Sequence, residues 1–236
     1  GDSWELIIHE LDDVESKIDV IQPVLDSNST WDVRGDMLIV ANQTTLIAVD
    51  LLNPSQAKVT LEVDSPTDVE IITEDCFAVL EDGLLKYWDY EGLERLGPNP
   101  ESGDRVILFE SFNDQIALVF ASDPDTVHLG IVDGVGLISI EVNATGDPDE
   151  DDILLAKDLN VDIINATITD ISLSKTKLAA TVDVNATSRL VLLDTITGDS
   201  QIISDHKFAA FDPHLDYGIL MFSAYTEINP LDAAEE

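Results

Sequence analysis

Five times in this chain a short apolar run closes on aspartate. The copies are Ile8-His9-Glu10-Leu11-Asp12, Leu46-Ile47-Ala48-Val49-Asp50, Leu85-Lys86-Tyr87-Trp88-Asp89, Leu129-Gly130-Ile131-Val132-Asp133 and Leu190-Val191-Leu192-Leu193-Asp194. Their aspartates stand 38, 39, 44 and 61 residues apart. After most of them come turn residues and another apolar strand, at 16–21, 58–63, 135–142 and 200–203. Two further β-rich runs precede each of the last four, for example Met37-Leu38-Ile39-Val40 and Val69-Glu70-Ile71-Ile72. Short β-branched runs between turn residues read as strands, and no long helical stripe competes with them. Four strands per period of about 40–45 residues is the pattern of a β-propeller blade, with strands A to D in chain order.

The ends of the chain suggest how many blades there are. It opens on what reads as a C strand (4–11) and a D strand (16–21). It closes on an A strand (207–211) and a B strand (217–224). Two half-blades make one whole, so the expectation is a single all-β domain over 1–236. It is a five-bladed propeller of four-stranded antiparallel blades, with N- and C-terminal strands sharing one blade. Pairing the termini would also tie down ends that otherwise fray. Residues 143–165 hold an acidic insertion and an extra apolar run, Ile153-Leu154-Leu155. That segment keeps a six-bladed propeller or an open β-sandwich in play.

The stretch Met37-Leu38-Ile39-Val40-Ala41-Asn42-Gln43-Thr44-Thr45-Leu46-Ile47-Ala48-Val49-Asp50-Leu51-Leu52-Asn53-Pro54 resembles the LVIVD-type repeat of secreted archaeal and bacterial surface proteins. Trp88-Asp89 is similar to the Trp-Asp pair that closes the third strand of WD40 blades. The other copies depart from both patterns. The resemblance implies a propeller on a cell surface.

Charge narrows the setting. Forty-eight acids against 11 Lys and Arg give a net charge of −37, while hydrophobic residues still make up 44%. A disordered acidic tail lacks that much apolar surface. Nucleic acid is excluded as a partner by phosphate repulsion, and no apolar run reaches the roughly 18 residues of a membrane helix. The acids are spread along the chain, and their repulsion costs compactness unless salt screens it. A high-salt habitat fits this pattern. Lys (7) outnumbers Arg (4), which would equally suit a merely acidic surface protein.

Asparagine supplies an address. Five of ten Asn begin an Asn-x-Ser/Thr triplet: Asn28, Asn42, Asn143, Asn165 and Asn185. Chance would place about one or two, and each is a glycosylation acceptor in an exported chain. By strand order these sequons fall on B-to-C and D-to-A connections, so all five should share one face. The A-to-B and C-to-D turns, such as Arg34-Gly35-Asp36, Asn113-Asp114 and Thr197-Gly198-Asp199, then form the opposite, sugar-free face. The single cysteine, Cys76, makes no internal disulfide and reads as a buried small hydrophobe.

Chemistry is sparse. None of the four His has ligand spacing, and there is no G-x-S-x-G elbow, P-loop or dinucleotide turn. No catalytic residue and no cofactor motif emerges. Five-bladed propellers include glycosidases, which pair two carboxylates. The A-strand acids Asp68, Glu70, Glu110, Asp170 and Asp212 would be the candidates for that alternative. The run around Asp147, Asp149 and Asp151 offers the oxygen ligands calcium prefers, without the Gly and distal Glu of an EF-hand loop. The expected function is therefore a non-enzymatic extracellular module on a cell or virion surface, adapted to high salt. It binds a protein or glycan partner, or its own kind in an envelope or filament. A secreted glycosidase is the alternative.

Overall fold

A computed structural model describes residues 5–10, 13–100, 103–134, 136–142, 166–184, 187–203, 209–216 and 218–225. Among these there is no helix, and 20 strands form antiparallel sheets. The four complete sheets are four-stranded meanders in chain order. Sheet I is β3 (Thr30–Arg34), β4 (Met37–Ala41), β5 (Thr45–Asp50) and β6 (Ala57–Glu62). Sheet II is β7 (Asp68–Thr73), β8 (Cys76–Glu81), β9 (Leu84–Asp89) and β10 (Glu94–Arg95). Sheet III is β11 (Val106–Phe112), β12 (Gln115–Phe120), β13 (Asp123–Ile131) and β14 (Ile138–Glu141). Sheet IV is β15 (Ala166–Leu173), β16 (Lys177–Val184), β17 (Thr187–Asp194) and β18 (Ser200–Ile202). Each is a blade of the kind the period implied.

The terminal hairpins correct one expectation. β1 (Ile8–Glu10) pairs β2 (Asp13–Ile18), and β19 (Ala209–Asp216) pairs β20 (Ile219–Tyr225). Among the described residues these are two separate two-stranded sheets, so a blade shared by both termini is not formed by their pairings. A strand of three residues, as β1 is, offers little ladder to a further partner. The expected D strand at 16–21 also begins three residues earlier. Bulges shift the register between His9 and Glu10 and between Phe211 and His214, which local apolar spacing does not reveal. The insertion at 143–165 lies outside the described residues.

Packing divides the chain into two compact units. Unit 1 is Gly1–Val106 with Asn113–Gln115 and Gly130–Gly136. Unit 2 is Ile107–Phe112, Ile116–Leu129 and Leu137–Glu236. In unit 1 the middle strands are buried on both faces, which is why β4 and β8 read as unbroken apolar runs rather than alternating ones. Ile39, Ala41, Leu46 and Ala48 of sheet I pack on Val69, Ile71, Phe77 and Val79 of sheet II. Leu38 and Val40, on the opposite face of β4, pack with Leu25 and with Leu6, Ile8 and Val20. The edge strand β6 alternates half-buried and exposed residues instead. In unit 2 the main core joins Val127 and Ile140 of sheet III to Ile168, Leu178, Val182 and Val191 of sheet IV.

The repeated aspartate has a physical role. Asp50 Oδ1 accepts the backbone N–H of Leu52 at 2.9 Å. Asp89 Oδ1 accepts those of Glu91 and Leu93, both at 2.9 Å. Asp194 Oδ1 accepts those of Ile196 and Thr197 at 2.9 and 3.0 Å. A carboxylate that ends strand C thus nucleates the turn into strand D, mimicking a backbone turn. The fourth copy departs: β13 stops at Ile131, and Asp133 adopts φ +63° and pairs with Arg95 instead.

The turn bonds set up a paired test. Asp89→Ala should destabilise by about 1–2 kcal/mol, since two backbone donors lose a charged acceptor. Asp89→Asn keeps Oδ1 and sheds one negative charge, so it should be neutral or stabilising. Urea midpoints at unchanged m-value read the difference. Equal losses in the two variants would show that the carboxylate charge, not the acceptor geometry, matters.

Candidate functional site

Both ends of β3 in unit 1 carry features of interest, and its five residues set them about 16 Å apart. Cross-strand register puts Thr30, Asp32 and Arg34 on the face of sheet I that also holds Ala41, Ile39 and Met37. That face meets sheet II, and all three polar side chains reach across to it. Thr30 Oγ1 donates to Asp68 Oδ1 at 3.4 Å, Asp32 Oδ2 accepts the Ile71 N–H at 2.7 Å, and Arg34 Nη1 donates to the Ile72 carbonyl at 3.0 Å. The first strands of two blades are thereby laced together by side chains rather than by a ladder.

At the far end of these strands is a groove of about 530 Å³. One wall is the two-residue turn from β3 to β4, with Arg34, Gly35, Asp36 and Met37. Gly35 takes φ +58° there, a conformation that favours glycine in such tight hairpins. The other wall is the end of β7 and its turn, with Ile71, Ile72, Thr73 and Glu74; Lys58 of β6 and Asn113 complete the lining. Ile71 and Ile72 are buried beneath it. Lys58 Nζ lies 4.9 Å from the centre of the Tyr90 ring, a cation–π contact that steadies the ammonium. Two of the chain's 11 cations therefore line one groove, facing two acids.

At the near end is a second pocket, of about 410 Å³, lined by Asn28, Gln43, Ser65, Pro66 and Thr67. These residues come from the turn before β3, the β4–β5 turn and the β6–β7 connection. The sequons Asn28 and Asn42 thus sit at one end of sheet I, away from the Arg34-Gly35-Asp36 turn. Asn143, Asn165 and Asn185 lie outside the described residues, as do the calcium candidates Asp147, Asp149 and Asp151. Among the described residues no group of three or more His, Cys, Asp or Glu side chains is placed to hold a metal ion.

The A-strand acids do fall on first strands: Asp68 and Glu70 on β7, Glu110 on β11, Asp170 on β15 and Asp212 on β19. The Asp212 side chain is outside the described set. Asp170 Oδ1 accepts the Ile171 N–H at 2.9 Å. Burial pushes the Asp68 carboxyl up to about 6, and the nearby Asp32 charge adds to this. Bonds from the Val69 N–H and the Thr30 hydroxyl pull the other way. The structure brings Asp68 close to Asp32, which sequence reasoning passed over. It also passed over Lys58 and Thr73, whereas the Arg34-Gly35-Asp36 and Asn113-Asp114 turns were expected on the sugar-free face. For Lys58 the available signal was the scarcity of cations, which makes any of them conspicuous.

No protein-family model matches the chain, and no curated protein matches it in sequence. Solved structures do match. The β-propeller domain of Myceliophteria thermophila Cps50 (Swd1) superposes with TM-score 0.55 at 16% identity, over 87% of this chain and 65% of that one. YCF48 bound to D1 peptide superposes with TM-score 0.53 at 6% identity, over 91% of this chain and 72% of that one. Identities this low speak to the fold alone, and with the four-stranded blades they make the chain a β-propeller. The chain spans just under two thirds of the length of the Cps50 domain. No helix among the described residues is long and apolar enough to cross a membrane.

Proposed function

We propose that this propeller is a non-enzymatic binding module of an exported cell-surface or virion assembly, working in salty surroundings, that takes a protein partner at the groove between Arg34 and Asn113. The LVIVD-type resemblance and an archaeal or bacterial source belong to the same reading. The observation that carries it is the separation along β3. Two sequons occupy one end of sheet I, and the groove occupies the other. Sugars on the first end are bulky and hydrated, which leaves the groove end for packing. The groove lining is aliphatic beneath and mixed-charge above, with no aromatic platform, which suits a polypeptide better than a sugar ring. YCF48, solved with a peptide bound, is a precedent for peptide capture on this fold.

Site-specific photo-crosslinking in the full chain, in its native assembly, tests the reading. A benzoylphenylalanine at Thr73 or Asn113 should give one protein adduct, and one at Ser65 should give none. Arg34→Ala with Lys58→Ala should weaken capture about tenfold, or ~1.4 kcal/mol. Adducts from Ser65 alone, or from no position, would overturn it.

A glycosidase is the second reading, favoured by one observation: the raised Asp68 carboxyl near Asp32 has the character of a general acid. Against it, both carboxylates are occupied by backbone and hydroxyl donors that lace the sheets. Hydrolysis of polysaccharides by the wild type, abolished in Asp68→Asn, would establish it.

A further inference from the structure

The two described sequons are not equivalent. The Asn42 side chain is held through both its oxygen and its nitrogen. Its Oδ1 accepts the Thr44 N–H at 2.9 Å, the Thr45 N–H at 2.8 Å and the Thr44 hydroxyl at 3.4 Å. Its Nδ2 donates to the Val24 carbonyl at 3.0 Å. The Asn42 backbone N–H also bonds the Thr45 carbonyl at 3.0 Å. This side chain is an Asx cap that builds the β4–β5 turn and ties it to the segment before β3. To enter a transferase site this side chain would have to leave the turn it holds, giving up three bonds to Oδ1 and one from Nδ2.

Asn28 is built differently. It is exposed, and its turn is held by Asp26, whose Oδ1 takes the Asn28 N–H at 2.9 Å and the Ser29 hydroxyl at 3.3 Å. The Asn28 side-chain amide makes no hydrogen bond among the described residues. It borders the 410 Å³ pocket, where the exposed Gln43, Ser65 and Thr67 supply hydrogen-bonding groups above the buried Pro66. A first sugar leaving Asn28 has somewhere to lie.

We infer that Asn28 is a glycan-bearing asparagine, its first sugar lying against the exposed Ser65 and Thr67, and that Asn42 is a structural cap left unmodified in the folded protein. This rests on the exported reading above. In the transfer, the bond from the sugar's anomeric carbon to the phosphate oxygen of a lipid-linked donor breaks. A bond from that carbon to Asn28 Nδ2 forms, and the displaced amide proton leaves with the phosphate side.

Two measurements test this. First, glycopeptide mass spectrometry on the chain secreted from an N-glycosylating host should find hexose mass on the Asn28 peptide and none on the Asn42 peptide. Second, in unglycosylated protein Asn42→Ala should lower Tm by several degrees, and Asn28→Ala should leave it unchanged. Sugar on Asn42, or a bare Asn28 beside other occupied sequons, overturns the inference while sparing the exported reading. Sugar on no sequon at all sinks both. Equal Tm for the two variants removes the cap argument.

Discussion

Raising NaCl from 0.1 to 1 M should raise the melting temperature by on the order of 10 °C. The Debye length falls over that range from roughly 10 Å to 3 Å, so repulsion between exposed carboxylates is largely extinguished. The acids outnumber Lys and Arg by 37, and most described cations are already in contact with an acid. Lys17 pairs with Glu5, Lys86 with Glu81, Arg95 with Asp133, Arg105 with Asp82 and Lys177 with Asp194. With 11 Lys and Arg for 48 acids, the cations are far too few to neutralise the carboxylates. A gain near 0.1 kcal/mol per acid amounts to about 4–5 kcal/mol, which for a chain of this length converts to roughly 10 °C. KCl should match NaCl, because screening depends on ionic strength. A flat melting curve would mean that the charges are neutralised in another way, for instance by tightly held cations. A response to sulfate but not to chloride would assign the effect to salting-out rather than screening.

What could be read from the sequence was what is local. A strand-ending aspartate works within four residues of itself, so Asp50, Asp89 and Asp194 announced three turns of the kind the structure contains. Asp133 looked the same in sequence and is not, because its partner Arg95 lies 38 residues away. The interior strands were legible for a similar reason. Burial on both faces turns Cys76-Phe77-Ala78-Val79-Leu80 into a run that no surface element would carry. The short terminal strands gave weaker signals, and there bulges shifted the register. The groove was legible only in its Arg34-Gly35-Asp36 and Asn113-Asp114 turns, not as one opening shared with Lys58. Arg34 and Lys58 are 24 residues apart, and only the pairing of β3 through β6, followed by the packing of sheet I on sheet II, brings them to one opening. The Asp32 and Asp68 neighbourhood is likewise a product of packing between sheets, invisible to any spacing rule.

That neighbourhood supports the sharpest mutational expectation. Asp68→Asn should stabilise the protein at pH 7 by about 2–3 kcal/mol, or roughly 5–10 °C in Tm, and should bring little at pH 4. The sign follows from the direction in which burial moves the carboxyl. The folded-state value of about 6 lies above the ordinary 3.8, so the native state holds its proton more tightly than the unfolded chain. Stability is therefore highest with Asp68 protonated and declines as pH rises from about 4 to 6. Above that the loss is complete and constant, at about 1.4 kcal/mol for each tenfold difference in proton affinity between the folded and unfolded states. Asparagine cannot ionise, and its Oδ1 can still accept the Val69 N–H and the Thr30 hydroxyl. The variant keeps the lacing and loses the buried charge. Denaturant titrations of both proteins at pH 4, 5, 6 and 7 should give curves that meet at the acid end and diverge upward. Parallel curves with the variant below the wild type throughout would show that the ionised carboxylate is the form the β3–β7 junction needs. The same variant bears on function. A carboxyl kept at such a cost is more often found where chemistry or binding uses it. If Asp68→Asn is more stable yet captures partner at the groove as well as the wild type, the raised carboxyl serves neither stability nor this binding.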